Sequence, residues 1–246
     1  MKNTIDRRDF IKTAGATALA ISPIGFLSGC GSRTKAPGSE PQKAGEMTYR
    51  INEAKNDKVS ILGYGCMRWP MKKNEEGKDI IDQEKVNELI DYALEKGVNY
   101  FDAAPVYLQG QCEAATGEAL SRHPRESYFV ATKLSNFNDA SRAEGIRMYK
   151  ASLEAFRTDY LDYYLLHSIK NAATFTKRFV DNGLIDFLME ERKAGRIRNL
   201  GFSFHGNQEG FDELMALHEK YHWDFVQIQL NYMDWNHAGQ RNTNAS

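Results

Sequence analysis

The chain has 246 residues, 41% of them hydrophobic, which suffices for one large α/β domain or two smaller ones with a packed core. Its 32 basic residues are balanced by 33 acidic ones, a net charge of −1, and no basic stretch is interleaved with aromatics, so no nucleic-acid partner is expected. Three cysteines, Cys30, Cys66 and Cys112, occur without any CxxC spacing. Zinc ribbons, thioredoxin-type motifs and iron–sulfur runs therefore have no support, and no metal site is expected. Cys66 and Cys112 read as buried free thiols rather than as a disulfide, because both flank strand ends.

Residues 1–30 read as a targeting signal. The segment DRRDFIK at 6–12 pairs Arg7 with Arg8 ahead of a weakly apolar run, TAGATALAISPIGF, too short and too polar to span a bilayer. This pattern resembles a twin-arginine export signal. Leu27, Ser28, Gly29 and Cys30 then resemble a bacterial lipobox, in which Cys30 carries the lipid and becomes the mature N-terminus. Residues 31–45 are rich in Gly, Ser, Pro and charge, the composition of a flexible tether. The expectation is an exported lipoprotein, periplasmic or in the cell envelope, held at the membrane through Cys30. One acyl chain anchors only marginally, so a triacylated terminus is what the lipobox resemblance implies.

Residues 46–246 read as a folded body. MTYRIN at 47–52 and KVSILG at 58–63 are short alternating runs that predict a hairpin. A helix is predicted over 84–96, with Val86, Leu89, Ile90, Ala93 and Leu94 at helical spacing and Gly97 ending it. Strand VNYFD follows at 98–102, then a helix over 111–120 and strand SYFVATK at 127–133. A helix over 139–157 precedes strand LDYYLLH at 161–167. One helix is predicted over 177–193, stopped by Gly195, before strand IRNLGFS at 197–203. A helix over 207–220 and strand DFVQIQLNY at 224–232 complete the pattern. Near-continuous apolar strands, each followed by a helix, predict a parallel sheet. The fold class is an α/β (β/α)8 TIM barrel, of which about six strand–helix units are present. Since such a barrel has eight units, the polar end WNHAGQRNTNAS predicts a C-terminally truncated chain.

Three of these strands deliver a titratable residue near their C-terminal ends: Asp102, Lys133 and His167. Tyr107 follows Asp102 by five residues, in a turn broken by Pro105. That edge is where chemistry sits in a barrel of alternating strands and helices. Reducing a carbonyl with a nicotinamide needs a proton for the forming alkoxide, yet an unperturbed tyrosine, with a pKa of about 10, is a poor acid at neutral pH. The Lys133 ammonium beside Tyr107 is expected to lower that pKa, with Asp102 as the partner of Lys133. His167 is expected to hydrogen-bond and orient the carbonyl oxygen.

Asp102, Tyr107, Lys133 and His167, in that order, resemble the catalytic tetrad of the aldo-keto reductases. The segments LGYGCMR at 62–68, FDAAPVY, VATK, DYYLLH, GRIRNLGFS and VQIQLNY match motifs of that family in order, covering the body from about residue 47 to 232. The resemblance implies reduction of an aldehyde or ketone, a small-molecule carbonyl substrate, with NADP(H) as cofactor and NAD(H) left open. It implies that Ser203 and Gln227 contact the nicotinamide carboxamide and that Asp102 also meets the ribose. It further implies that Gly65, Cys66 and Met67 form the first strand-end loop under the cofactor. Where the family usually has Ser-Asn, this sequence has Ser203-Phe204, so one carboxamide hydrogen bond is absent or replaced. The stacking aromatic and the pyrophosphate and adenosine contacts of the family belong to strands seven and eight, beyond residue 246. Two other readings stay open at this point: a nicotinamide-binding regulatory module, and an inactive fragment on the same fold.

Overall fold

The computed structural model describes residues 46–137 and 141–229. The expected signal, lipobox and tether at 1–45 lie outside the described residues, as does the C-terminal part of the sixth predicted strand. Strands β1 (Tyr49–Asn52) and β2 (Asp57–Ser60) pair antiparallel, forming the hairpin that their alternation predicts. Its turn places Asn56 at φ 57°, a left-handed conformation that asparagine tolerates. The first barrel strand, β3 (Tyr64–Gly65), is only two residues long. A second hairpin follows, β4 (Met71–Lys73) with β5 (Asp79–Ile81). Its loop is closed by Asn74, whose Oδ1 accepts from the N–H groups of Glu76 and Lys78.

Helix α1 (Gln83–Glu95) buries Val86, Ile90 and Ala93, and Gly97 leaves it at φ 84°. Strand β6 (Tyr100–Asp102), helix α2 (Cys112–Leu120), strand β7 (Phe129–Leu134) and helix α3 (Arg142–Phe156) come next. The Ser141 hydroxyl caps α3 by accepting from the Glu144 N–H. Strand β8 (Leu161–Ile169), helix α4 (Leu184–Lys193), strand β9 (Ile197–Phe204), helix α5 (Gln208–Ala216) and strand β10 (Phe225–Ile228) complete the described chain.

The single helix expected over 177–193 is not formed. A helical turn at Ala172–Phe175 runs into a π-helical turn at Thr176–Val180, and the chain then breaks at Gly183, φ 67°. The break is tolerated because one side chain satisfies both flanks. Asn182 Nδ2 donates to the Arg178 carbonyl, and its Oδ1 accepts from the Leu184 N–H.

Six strands pair in parallel in the order β3-β6-β7-β8-β9-β10, consecutive strands of a (β/α)8 barrel. Side chains alternate across this sheet. Phe101, Val130, Leu134, Tyr164, Leu166 and Phe202 join the large core with Ile90, Tyr149 and Leu188 of the helices. Ala131, Tyr163 and Leu165 form a separate buried cluster with Tyr100, Phe129 and Phe225 on the opposite, inner face. The same inner series, continued by two residues, ends in Asp102, Lys133 and His167. Sheet register steps these groups along the inner face toward the C-terminal edge: Asp102 is opposite Ala131 and Lys133 opposite Leu165, so each stands two residues further along its strand than the one before.

Candidate active site

A cavity of about 320 Å³ opens at that edge, lined by Asp102, Tyr107, Lys133, His167, Ser203, His205, Gln227, Ile228 and Gln229. A cleft of about 470 Å³ lies among residues at the starts of the strands, such as Tyr160, Phe129 and Arg198. In a barrel that opposite face serves stability rather than chemistry.

Lys133 is 2% exposed, and its ammonium donates to Asp102 Oδ1 at 2.6 Å and to the Ala103 carbonyl at 2.7 Å. Ala103 and Ala104, which follow Asp102, are both fully buried. The ammonium lies 5.2 Å from the centre of the Tyr107 ring. Tyr107 itself sits at the head of a tight turn in which Leu108, Gln109 and Gly110 all have positive φ, at 51°, 56° and 88°. Two consecutive non-glycine residues in the left-handed region are unusual, and such strain clusters at functional sites. The Tyr107 ring meets the His167 ring edge-on, with centroids 5.9 Å apart.

The expectation that Lys133 leaves Tyr107 with a lowered pKa is corrected here. Burial pushes the Tyr107 hydroxyl above its ordinary value; the Lys133 ammonium pulls it down, and the Asp102 carboxylate adds to the rise. Desolvation wins because the half-buried phenolate would lose part of its hydration beside a carboxylate that already neutralises the ammonium. His167 moves the other way. Burial first, then the charges of Lys133, His205 and Arg178, push it down to about 3, so its imidazole is neutral. Its Nδ1 lies 2.6 Å from the Ser135 hydroxyl.

An irregularity in β8 surrounds His167 and Ser168. The β8–β9 register shifts between Leu166 and Ile169, and Ser168 adopts φ 55°. The Ser168 N–H turns inward to donate to Ser203 Oγ at 2.8 Å. Ser203 and Gln227 are direct neighbours across β9 and β10. Gln227 Nε2 donates to Asp102 Oδ2 at 3.4 Å, tying the last strand of the sheet to the Asp102–Lys133 pair.

The structure thus brings Asp102, Tyr107, Lys133, His167, Ser203 and Gln227 to one cavity. The first strand-end loop behaves differently. Gly65 ends β3 opposite Asp102, Cys66 is fully buried in the helix-side core, and Met67 is 53% exposed. Cys66 and Cys112 are both buried free thiols. The sequence reading omits His205, Ile228 and Gln229 from the lining. Two of these were reachable by alternation, since 203, 205 and 227, 229 continue the inward series of β9 and β10 past the strand ends.

A profile of the Aldo/keto reductase family matches residues 61–245. Among curated relatives, "Uncharacterized oxidoreductase YqkF" of Bacillus subtilis is 33% identical over 118 residues, 44% of this chain and 35% of that protein. "Protein tas" of Escherichia coli is 29% identical over 191 residues, 65% of this chain and 52% of that protein. The Escherichia coli "Methylglyoxal reductase YeaE" is 34% identical over 109 residues, 44% of this chain and 36% of that protein. The chain thus spans between about a third and a half of the length of these relatives. Among solved structures, aldo-keto reductase AKR11C1 from Bacillus halodurans, in its holo form, superposes with a TM-score of 0.53 at 25% identity, covering 74% of this chain and 65% of its own. An aldo-keto reductase from Klebsiella pneumoniae in complex with NADPH shares the fold, with a TM-score of 0.57 at 23% identity over 74% of this chain and 58% of its own. Because the family pattern extends over nearly the whole described body, the chain belongs to the aldo/keto reductase family.

Proposed function

We propose that this chain carries the catalytic site of an NADP(H)-dependent reductase of small aldehydes or ketones. The observation that carries the proposal is the meeting of Tyr107, His167 and the Asp102–Lys133 pair in one cavity at the C-terminal strand edge. The side chains present suit the nicotinamide end of the cofactor. A carboxamide needs both donor and acceptor partners; the Gln227 amide offers both, and Ser203 Oγ, already accepting from the Ser168 N–H, keeps its own proton to donate. When bound, the nicotinamide supplies the hydride.

The chain's own groups handle the proton. Tyr107, held protonated by burial, donates its hydroxyl proton to the oxygen on which negative charge develops. Lys133 favours the phenolate left behind, and Asp102 holds the ammonium in place. Neutral His167 acts as a second donor to the same oxygen and fixes its direction. The similarity to a methylglyoxal reductase supports small carbonyl compounds as the substrate class. The test is oxidation of NADPH by the full-length protein across a panel of aldehydes and ketones, methylglyoxal included. Turnover on part of the panel is expected; tight NADPH binding with no turnover on any member would contradict the proposal.

The proposal extends to location. The Arg7-Arg8 pair, the mild apolar run and the Leu27–Cys30 pattern support export by a twin-arginine route and lipidation at Cys30, with 31–45 as the tether to the membrane surface. Replacing Arg7 and Arg8 with lysine should hold the protein in the cytoplasm, and Cys30→Ala should abolish lipid labelling. Fractionation and labelling unchanged in both variants would refute this part.

A further inference from the structure

Two buried side chains, Ser135 and Arg178, hold His167. Ser135 lies two residues beyond Lys133, and Arg178 projects from the π-helical turn. Both are buried, and both meet His167: the Ser135 hydroxyl lies 2.6 Å from Nδ1, and Arg178 Nη1 donates to the His167 carbonyl at 2.7 Å. Arg178 also donates to the Ser168 carbonyl at 3.2 Å and, through Nη2, to Asn136 Oδ1 at 2.9 Å. Asn136 returns a bond to the Arg178 carbonyl at 3.0 Å. One guanidinium therefore grips the residue after Ser135 and the main chain at His167, fixing the two strand ends relative to each other.

We propose that Ser135 is a positioning residue that selects the His167 tautomer with its proton on Nε2, the nitrogen left for the cavity. A neutral imidazole can place its single proton on either nitrogen, and the hydrogen bond made by the other nitrogen decides which. If Nδ1 carried the proton, Ser135 would accept it, and the buried hydroxyl would need a separate acceptor for its own hydrogen. The only side-chain partner of Ser135 Oγ among the described residues is His167 Nδ1. Donation from Ser135 to Nδ1 leaves neither group unsatisfied, whereas the reverse leaves a buried O–H without an acceptor among the described residues. Nε2–H then faces the cavity as a donor. Its catalytic consequence rests on the carbonyl-reduction reading; the tautomer itself does not.

Selective ¹⁵N-histidine labelling of the full chain tests this. The His167 signals are identified by their loss in His167→Asn. In the wild type, Nδ1 should show the shift of an unprotonated ring nitrogen and Nε2 that of a protonated one. Ser135→Ala should give a mixture of tautomers or the opposite one, and Ser135→Thr, which keeps the hydroxyl, should restore the wild-type pattern. On any carbonyl substrate that is reduced, Ser135→Ala should lower kcat roughly 10–100-fold, the scale on which outer partners of a functional histidine act, with KM little changed. A proton on Nδ1 in the wild type, or a tautomer unmoved by Ser135→Ala, would overturn the proposal. The nuclear resonance result stands whether or not a substrate is found, so its failure is distinct from failure of the reductase reading.

Discussion

Removing the Lys133 side-chain charge should unfold the barrel more readily, by an amount the geometry sets. The ammonium and the Asp102 carboxylate lie 2.6 Å apart. At an effective dielectric constant of about 20, two charges at that distance attract by about 6 kcal/mol, which offsets the cost of taking both out of water. Lys133→Met removes the attraction but leaves the carboxylate, and breaking one side of a buried pair costs about 3–5 kcal/mol. Asp102 keeps 16% side-chain exposure and the Gln227 amide, so the lower end applies, about 3 kcal/mol. For a domain of this size that is a fall in Tm of roughly 6–12 °C, read by circular dichroism on heating or in urea. The double variant Asp102→Asn with Lys133→Met should lose less than Lys133→Met alone, because no buried charge is then left without its partner. A loss below about 1 kcal/mol for Lys133→Met, or simple additivity in the double variant, would refute this account of the pair.

Two further outcomes concern the helix layer. Glu113 is buried, and its Oε1 accepts from the hydroxyls of Thr132 and Ser152, yet burial still raises its pKa. A carboxyl raised on folding binds its proton more tightly in the native state, so stability is lost as pH rises through the unfolded value of about 4.3 and up to the folded one. Glu113→Gln, which keeps an acceptor oxygen, should therefore match the wild type near pH 4 and exceed it in Tm at pH 7; equal or lower Tm at pH 7 would contradict the sign. Gly117 lets α2 approach α3 so closely that a Cβ would lie 2.0 Å from the Ala155 carbonyl oxygen. Gly117→Ala should cost about 1–3 kcal/mol in urea unfolding, and a neutral effect would show that the two helices do not meet there.

Much of this site was legible because period-2 alternation and strand ends are local properties. Asp102, Lys133 and His167 each stand at the close of an apolar run, and alternation alone puts them on the inner face. Ser203 and Gln227 needed the family motif as well, since a serine or glutamine at a strand end carries no signal of its own. The β4–β5 hairpin was missed although Asn74–Gly77, NEEG, reads as a turn, because its strands are short and largely exposed. The break in the helix expected at 177–193 was signalled by Asn182-Gly183, but the helical spacing of Leu184, Ile185 and Leu188 just after it masked the signal. The direction of the Tyr107 shift was not legible. It depends on how far burial outweighs Lys133, and burial is a property of the assembled cavity.

The central claim is that Tyr107 gives the proton in carbonyl reduction, and the Tyr107→Phe variant tests it most directly. For a substrate the wild type reduces, kcat should fall by about 10²–10⁴-fold, the usual contribution of general acid catalysis. The Kd for NADPH should stay unchanged, because the lost interaction is made in the transition state. A variant that reduces the substrate as fast as the wild type, or one whose loss of turnover only follows a loss of NADPH binding, would contradict the account.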